Sequence, residues 1–353
     1  MIRAIYITVF ILTCASFTAR AQDIHFSQTI RSEFQLNPAF TGAFSGNLRG
    51  TANWKDQWQS INNSFRTYAA SGEVSFGKGR RNPTFFALGA YATRDVSGDV
   101  QLGNTSAGLS FNTLLQVNRN ARFCVAVNGN FTNSGLNTSN MQWGSQYDGI
   151  NFDPALSNGE GIEFVPQNYF DASFGVAYWY NKRDKNVVQH APYDAKIGFS
   201  VFHLNRPRYS YFTDNTTRVP MRMVLHANGL FGTRNDNLFI YPNMTLVKQG
   251  AQHEILLGTL WKYSFTTGSK STGLKTETSI AFGTDIRITN IFDAIVPQVY
   301  FQMYSMSIGL SYDVNVSRLN QASNYRGGFE LSLRFTNPDH YTHRNPFRRS
   351  VSI

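Results

Sequence analysis

The chain has 353 residues, with 32 basic against 22 acidic side chains and a formal net charge of +10. Aromatic residues make up 14% and charged residues only 15%, against a usual ~25% charged, and the mean hydropathy is mildly negative. Beyond its start the chain has no apolar run near the ~20 residues of a transmembrane helix, which excludes a helical membrane protein; its basic residues are scattered, which argues against nucleic acid and for a basic lumen or a face toward anionic envelope polymers.

Residues 1–21 read as a cleavable signal peptide. Arg3 precedes an apolar run from Ala4 to Phe17, and Ala19-Arg20-Ala21 gives the small-x-small pattern of a cleavage site, so Gln22 would open the mature chain. Cys14 is a poor lipid anchor because Thr13 precedes it, and it would leave with the signal. Cys124 then stands alone, and no intrachain disulfide is expected. Residues 22–46 carry Asn37-Pro38 and glycines and read as a periplasmic lead-in or plug segment.

From residue 47 the pattern has period two, the mark of strands with two unlike faces. Between Tyr304 and Val316 the even positions are all apolar, and the odd ones are Ser305, Ser307, Gly309, Ser311, Asp313 and Asn315. Tyr325, Phe329, Leu331, Leu333 and Phe335 alternate likewise with Arg326, Gly328, Glu330, Ser332 and Arg334. Strands are expected at 47–57, 66–77, 84–95, 104–118, 121–132, 169–181, 194–204, 219–231, 237–247, 252–263, 276–287, 293–302, 304–316 and 324–335. A soluble sandwich also alternates. These segments, however, exceed the ~5–6 residues of soluble strands and suit a tilted membrane crossing. Trp54, Trp58, Trp179, Trp261 and Tyr263 sit near strand ends, where an interfacial girdle belongs.

The expectation is an all-β, transmembrane antiparallel barrel of about fourteen strands over 47–335, with an N-terminal periplasmic segment and a basic tail over 336–353. An even strand number puts both termini on the periplasmic side and the long connection 133–168 outside. Glu73, Arg122, Asp171, Asp285, Asp313, Glu330 and Arg334 fall within strands, mostly on the polar face, where internal ion pairs that fill the lumen are favoured over a substrate path. The seven histidines show no metal-ligand spacing, and neither a nucleophile elbow nor a phosphate loop occurs. No enzyme, metal or cofactor is expected.

The order of several short stretches carries a resemblance. Gln22-Asp23-Ile24-His25-Phe26-Ser27-Gln28 leads to Leu36-Asn37-Pro38-Ala39-Phe40-Thr41-Gly42. Arg49-Gly50, Trp54-Lys55-Asp56-Gln57-Trp58 and Thr67-Tyr68 come next. Further on stand Gln142-Trp143-Gly144-Ser145-Gln146, His203-Leu204-Asn205-Arg206-Pro207, Gly309-Leu310-Ser311-Tyr312-Asp313 and Gly327-Gly328-Phe329-Glu330. Together these resemble the PorP/SprF family of outer-membrane proteins associated with type IX secretion in Bacteroidota; the tail after Phe335 is longer than the family pattern.

The resemblance marks Asn37, Pro38, Gly42, Arg49, Gly50, Trp54, Asp56, Gln57, Trp58, Trp143, Gly144, His203, Asn205, Pro207, Tyr312, Asp313, Gly328 and Glu330 as structural or partner-binding positions. It implies an outer-membrane component with one of two roles. One helps export or surface-anchor a large adhesin with a type B C-terminal domain, and serves gliding motility. The other docks a periplasmic ring lipoprotein complex or a peptidoglycan-binding protein. A ring partner would meet residues 22–46, Lys78–Arg81 and the tail, and a client would meet 133–168. The alternative is an outer-membrane pore for small solutes. Outer membrane lipids surround the barrel in every case.

Overall fold

The computed structural model describes residues 23–57, 65–77, 84–98, 101–135, 142–157, 159, 166–182, 193–209, 217–235, 237–265, 278–289, 291–317 and 325–337. The signal segment 1–21, Trp58, the turn 78–81 and the tail beyond 337 lie outside them. The described strands are β1 (Leu48–Gln57), β2 (Phe65–Phe76), β3 (Phe85–Ser97), β4 (Leu102–Gln116), β5 (Ala121–Gly135), β6 (Gln167–Lys182) and β7 (Tyr193–Phe202). They continue with β8 (Arg222–Gly232), β9 (Leu238–Gln249), β10 (Gln252–Ser264), β11 (Thr278–Ile288), β12 (Phe292–Met303), β13 (Met306–Asn315) and β14 (Arg326–Asn337). Each strand pairs antiparallel with its sequence neighbours, and β14 returns to β1 to close the barrel. At that seam Leu48–Gln57 run in unbroken register against Asn337–Gly328.

Period two places the side chains. In β13, Ile308, Leu310 and Tyr312 face outward while Ser307, Ser311, Asp313 and Asn315 are buried inside. The outward faces make an exposed apolar belt that water would not tolerate and lipid does. Aromatic rings gather at the end where β1 begins: Phe76, Phe86 and Phe111 stack in a row, with Tyr193 against Phe231 and Tyr263 against Phe265. That is where an interfacial girdle belongs. Trp54 and Trp261 also point outward.

Two sequence expectations are corrected. Trp179 is not in the girdle: it points inward, its indole N–H donates to Asp194 at 2.9 Å, and the Arg122 guanidinium lies over its ring. Its even-numbered neighbours Tyr178 and Tyr180 hold the outward register, so an odd position must face in. Arg326 is exposed rather than lumenal. Between Tyr312 and Val314 the pairing slips, so that Phe329 and then Arg326 oppose them. That extra residue in β14 is a bulge, and it turns Arg326 out of phase.

The connections differ between the two ends. The end holding the start of β1 has connections 77–84, 117–120, 183–192, 233–237, 265–277 and 304–305. The other end carries the two longest, 136–166 and 203–221, and is the extracellular one by the rule that periplasmic turns are short.

Candidate functional site: an occupied lumen

Residues 23–44 run inside the barrel. Phe26, Ile30, Phe34, Leu36, Ala39 and Phe40 are buried within the strands, together with Ser27, Gln28, Glu33 and Asn37. The segment contains only a short helix α1 (Glu33–Leu36) and a 3-10 turn at Pro38–Phe40. Its own turns pair nine of its amides with carbonyls of the same segment, and the wall supplies partners for other backbone groups.

The wall does so chiefly by gripping the backbone. Glu330 accepts the amides of Ser27 and Gln28 at 2.8 and 3.2 Å. Arg334 donates to the carbonyls of Ile30 and Arg31, each at 2.8 Å. Ser200 donates to Leu36 O at 2.7 Å, and one Asn112 amide serves both Ala39 O and Thr41 O. Lys55 donates to His25 O at 3.2 Å, and Glu73 accepts the amide of Gly42 at 3.0 Å.

Two charged centres anchor the ends. Near the periplasmic end Glu33 receives Lys196 at 2.9 Å, Arg49 at 3.3 Å and Asn228 at 2.8 Å. Arg49 in turn reaches Glu73 at 2.7 Å. Lys196 and Arg49 supply the counter-charges that make burial of the Glu33 carboxylate tolerable. At the outer mouth Asp23 meets His203 Nε2 at 2.7 Å and Arg222 at 3.9 Å, and the other His203 nitrogen contacts Asp171. Midway, Asp313 joins Arg287 at 2.7 Å and Ser27 Oγ at 3.1 Å.

The Asn37-Pro38 turn has a fitted seat. Asn37 caps the turn by accepting the Ala39 amide at 2.8 Å and donates to Val176 O at 3.1 Å. Gly175 and Gly198 make room for it: a Cβ at either would lie 2.1 or 2.5 Å from the Asn37 amide group. Phe40 packs below among Phe85, Leu114, Cys124 and Trp179. Gly42 turns the chain toward β1 with φ +73, where a side chain would be strained and would strike Ala87.

The occupied lumen brings together Asn37, Pro38, Gly42, Arg49, His203, Asp313 and Glu330. It leaves others apart. Trp54 and Tyr312 face outward, and Asp56 is buried beside Arg66 at 3.6 Å. Gly50, Gln57 and Gly328 lie at the β1–β14 seam, and Trp143 and Gly144 lie in the outer connection. Asn205 bonds β6 through Phe170 O and Ala172 N, and Pro207 accepts the Val219 amide. Sequence reasoning missed Lys55, Lys196 and Arg287, whose alternation marks them as interior without naming partners, and Glu33, which lies outside any strand and carries no such signal.

One expectation is overturned by this path. Residues 22–46 are read from the sequence as a periplasmic lead-in or plug that a ring partner would meet; 23–44 run enclosed in the lumen, where such a partner does not reach them. Among the described residues no three His, Cys, Asp or Glu side chains gather to hold a metal.

Asp23 gives a pH dependence. Burial opposes its charge, but His203 above all holds it, so its pKa falls from 3.8 to about 2. For His203, beyond the end of β7, burial disfavours the charge, yet Asp23 and Asp171 raise its pKa to about 10. A lowered acid stabilises above its unfolded value and loses that as pH falls through the folded one; a raised base does so below its unfolded value and loses it as pH rises. A nitroxide at Ile24→Cys should therefore stay immobile from about pH 4 to past neutrality and loosen only near pH 2 and near pH 10. Loosening centred at pH 6–7 would contradict the pairing.

A closed barrel with a lipid-facing belt and a self-filled lumen defines an outer-membrane β-barrel protein. The chain belongs to the family described as type IX secretion system membrane protein PorP/SprF, whose profile matches residues 18–335. It is thus an outer-membrane component of type IX secretion. Comparison with curated protein sequences gives no match. Among solved structures the chain is similar to the CymD monoaromatic hydrocarbon channel, at 10% identity and TM-score 0.45, over 88% of this chain and 94% of that one. A TodX monoaromatic hydrocarbon channel deltaS2 mutant matches at 8% and 0.42, over 86% and 92%. BamA from Haemophilus ducreyi lacking POTRA domains 1–3 matches at 9% and 0.39, over 83% and 70%.

Proposed function

We propose that this barrel is a non-enzymatic platform that helps export a large adhesin with a type B C-terminal domain and retains it at the surface, binding it through the outer connection 136–166. The occupied lumen carries this reading, because a barrel filled by its own chain works through its ends rather than as a conduit. The same filling weighs against the small-solute pore.

The outer connection supplies a preformed contact. In 142–157 Asp148 accepts the amides of Ile150 and Asn151, at 2.8 and 2.6 Å. Gln146 donates to Leu156 O at 3.0 Å and accepts the amide of Asp153 through its backbone oxygen. These bonds hold Ile150 at 80% exposure beside Tyr147 at 55%, with Phe152 and Leu156 also uncovered. Rigid apolar tips of this kind make binding hot spots, since little ordering entropy is lost on docking.

Ile150→Asp combined with Tyr147→Ser should cut adhesin display on intact cells by roughly tenfold or more, for a hot-spot loss of ~2 kcal/mol. Barrel abundance and heat-modifiable migration should not change. Undiminished display would sink the outer docking site. Recovery of periplasmic ring lipoproteins, and no adhesin, with the solubilised protein would favour the ring-docking role instead.

A further inference from the structure

The direction in which residues 23–44 cross the lumen assigns a location to the start of the chain. The segment joins β1 at the periplasmic end. There Asn47 bonds Asn337 O and Ser75, and Gly42 lies against Ser75 and Ala87 near the ends of β2 and β3. Followed backward, it crosses from Val176 beside Asn37 to Lys196 and Asn228 at Glu33, and then to Ser307 and Arg334 at Arg31.

From there it climbs. Gln28 meets Ser311 and Glu330 midway along β13 and β14, and Ser27 meets Asp313 and Arg287 above them. The carbonyl of His25 is bonded by Lys55 near the end of β1, and its ring lies 3.8 Å from Glu254 near the start of β10. Asp23 ends among His203 just past β7, Arg222 at the start of β8 and Gln249 at the end of β9. All of these stand at the extracellular end. Ten-residue strands such as β1 and β7 rise about 33 Å along their length and about 25 Å along the axis of a tilted barrel, so Gly42 and Asp23 lie near opposite ends of the barrel.

We propose that the mature chain begins on the cell surface. Asp23 holds that start at the outer mouth, beside the connection 203–221 with its exposed Arg206, Arg208 and Arg218. This goes beyond the client-docking reading and does not depend on it. The N-terminal end, expected on the periplasmic side, then stands at the opposite mouth, out of reach of a partner in the periplasm. The ion pairs of Asp23 with His203 and Arg222 fix the exit point, and the Asp23 amide N–H, donating to Gln249 Oε1 at 3.1 Å, keeps the backbone at the rim.

The test places a short epitope between Gln22 and Asp23 in the full chain, leaving Ala19–Ala21 intact for signal removal. Control epitopes sit after Gly149 in the outer connection and at Arg119 in a periplasmic turn. The N-terminal epitope should bind antibody on intact cells to the same extent as the Gly149 control. Binding only after permeabilisation, as for Arg119, overturns the proposal. Where the insertion prevents assembly, Ile24→Cys serves instead, with the parent protein, whose Cys124 is buried, as the labelling blank. A membrane-impermeant maleimide should then label intact cells, and labelling confined to permeabilised cells would overturn the assignment.

Discussion

Replacing Gly175 and Gly198 together by valine is expected to convert a silent barrel into a conducting one. A Cβ at Gly175 would stand 2.1 Å from Asn37 Oδ1, and one at Gly198 would stand 2.5 Å from Asn37 Nδ2 and 2.9 Å from Phe40 Cζ. Neither neighbour can give way easily. Asn37 is tied to Val176 O and to its own turn, and Phe40 is fully buried. Overpacking costs about 1–3 kcal/mol at each site, and expelling Phe40 forfeits roughly 1.5–3 kcal/mol of burial.

Valine suits a strand, so the barrel itself should persist. Planar-bilayer recordings should show discrete conductance steps in the double variant and none in the parent protein, with both migrating as folded, heat-modifiable barrels. A folded variant that stays silent would show that the seat yields without displacing the segment. A conducting parent would show that the segment does not seal the lumen.

Glu33→Ala should produce the largest loss of stability among single substitutions in the segment, on the order of 3–5 kcal/mol. The carboxylate lies between Lys196 and Arg49, with both its oxygens engaged. Arg49 keeps Glu73 when Glu33 is removed, but among the described residues no other carboxylate pairs with Lys196. The cost is therefore mostly that of a buried ammonium without its counter-ion, and removing that charge as well should relieve it. The double variant Glu33→Met with Lys196→Met should regain more than half of the loss, as buried pairs replaced by apolar groups commonly do. Urea unfolding in detergent measures the parent, Glu33→Ala, the single variants Glu33→Met and Lys196→Met, and the double variant. Simple addition of the two single losses would refute direct coupling.

Much of this fold is legible in the sequence, because a membrane barrel states its two faces residue by residue. Ile308, Leu310 and Tyr312 against Ser307, Ser311 and Asp313 need no tertiary information to sort. The strand edges moved by a few residues at most: β7 starts at Tyr193 where 194 was expected, and β14 ends at Asn337 rather than 335. Trp179 and Arg326 failed for local reasons, an aromatic at a strand end that obeys register and a bulge that breaks it.

The site was legible only in part. Alternation shows that Asp313 and Glu330 face inward, and the resemblance drew attention to Asn37, Gly42 and His203. Neither says that Glu33 meets Lys196 across 163 residues of chain or that Ser27 meets Glu330 across 303. The height of each residue along the barrel axis and the path of an irregular segment come from three-dimensional closure, which period two does not encode. The glycines at 175 and 198 read as small lumenal residues; only the Asn37 turn lying against them shows what their smallness accommodates.

The unbroken β1–β14 seam constrains the order of assembly. A finished cylinder closed by ten ladder positions offers its own leading end no side entrance, and threading twenty irregular residues upward past Lys196, Arg49 and Arg334 would strip each polar group of water before its partner was reached. The economical route is for the strands to wrap around the leading segment while the sheet is still open, with the meeting of first and last strands as the closing event. The segment would then act as a mandrel, setting the barrel's girth during insertion as well as filling it afterwards.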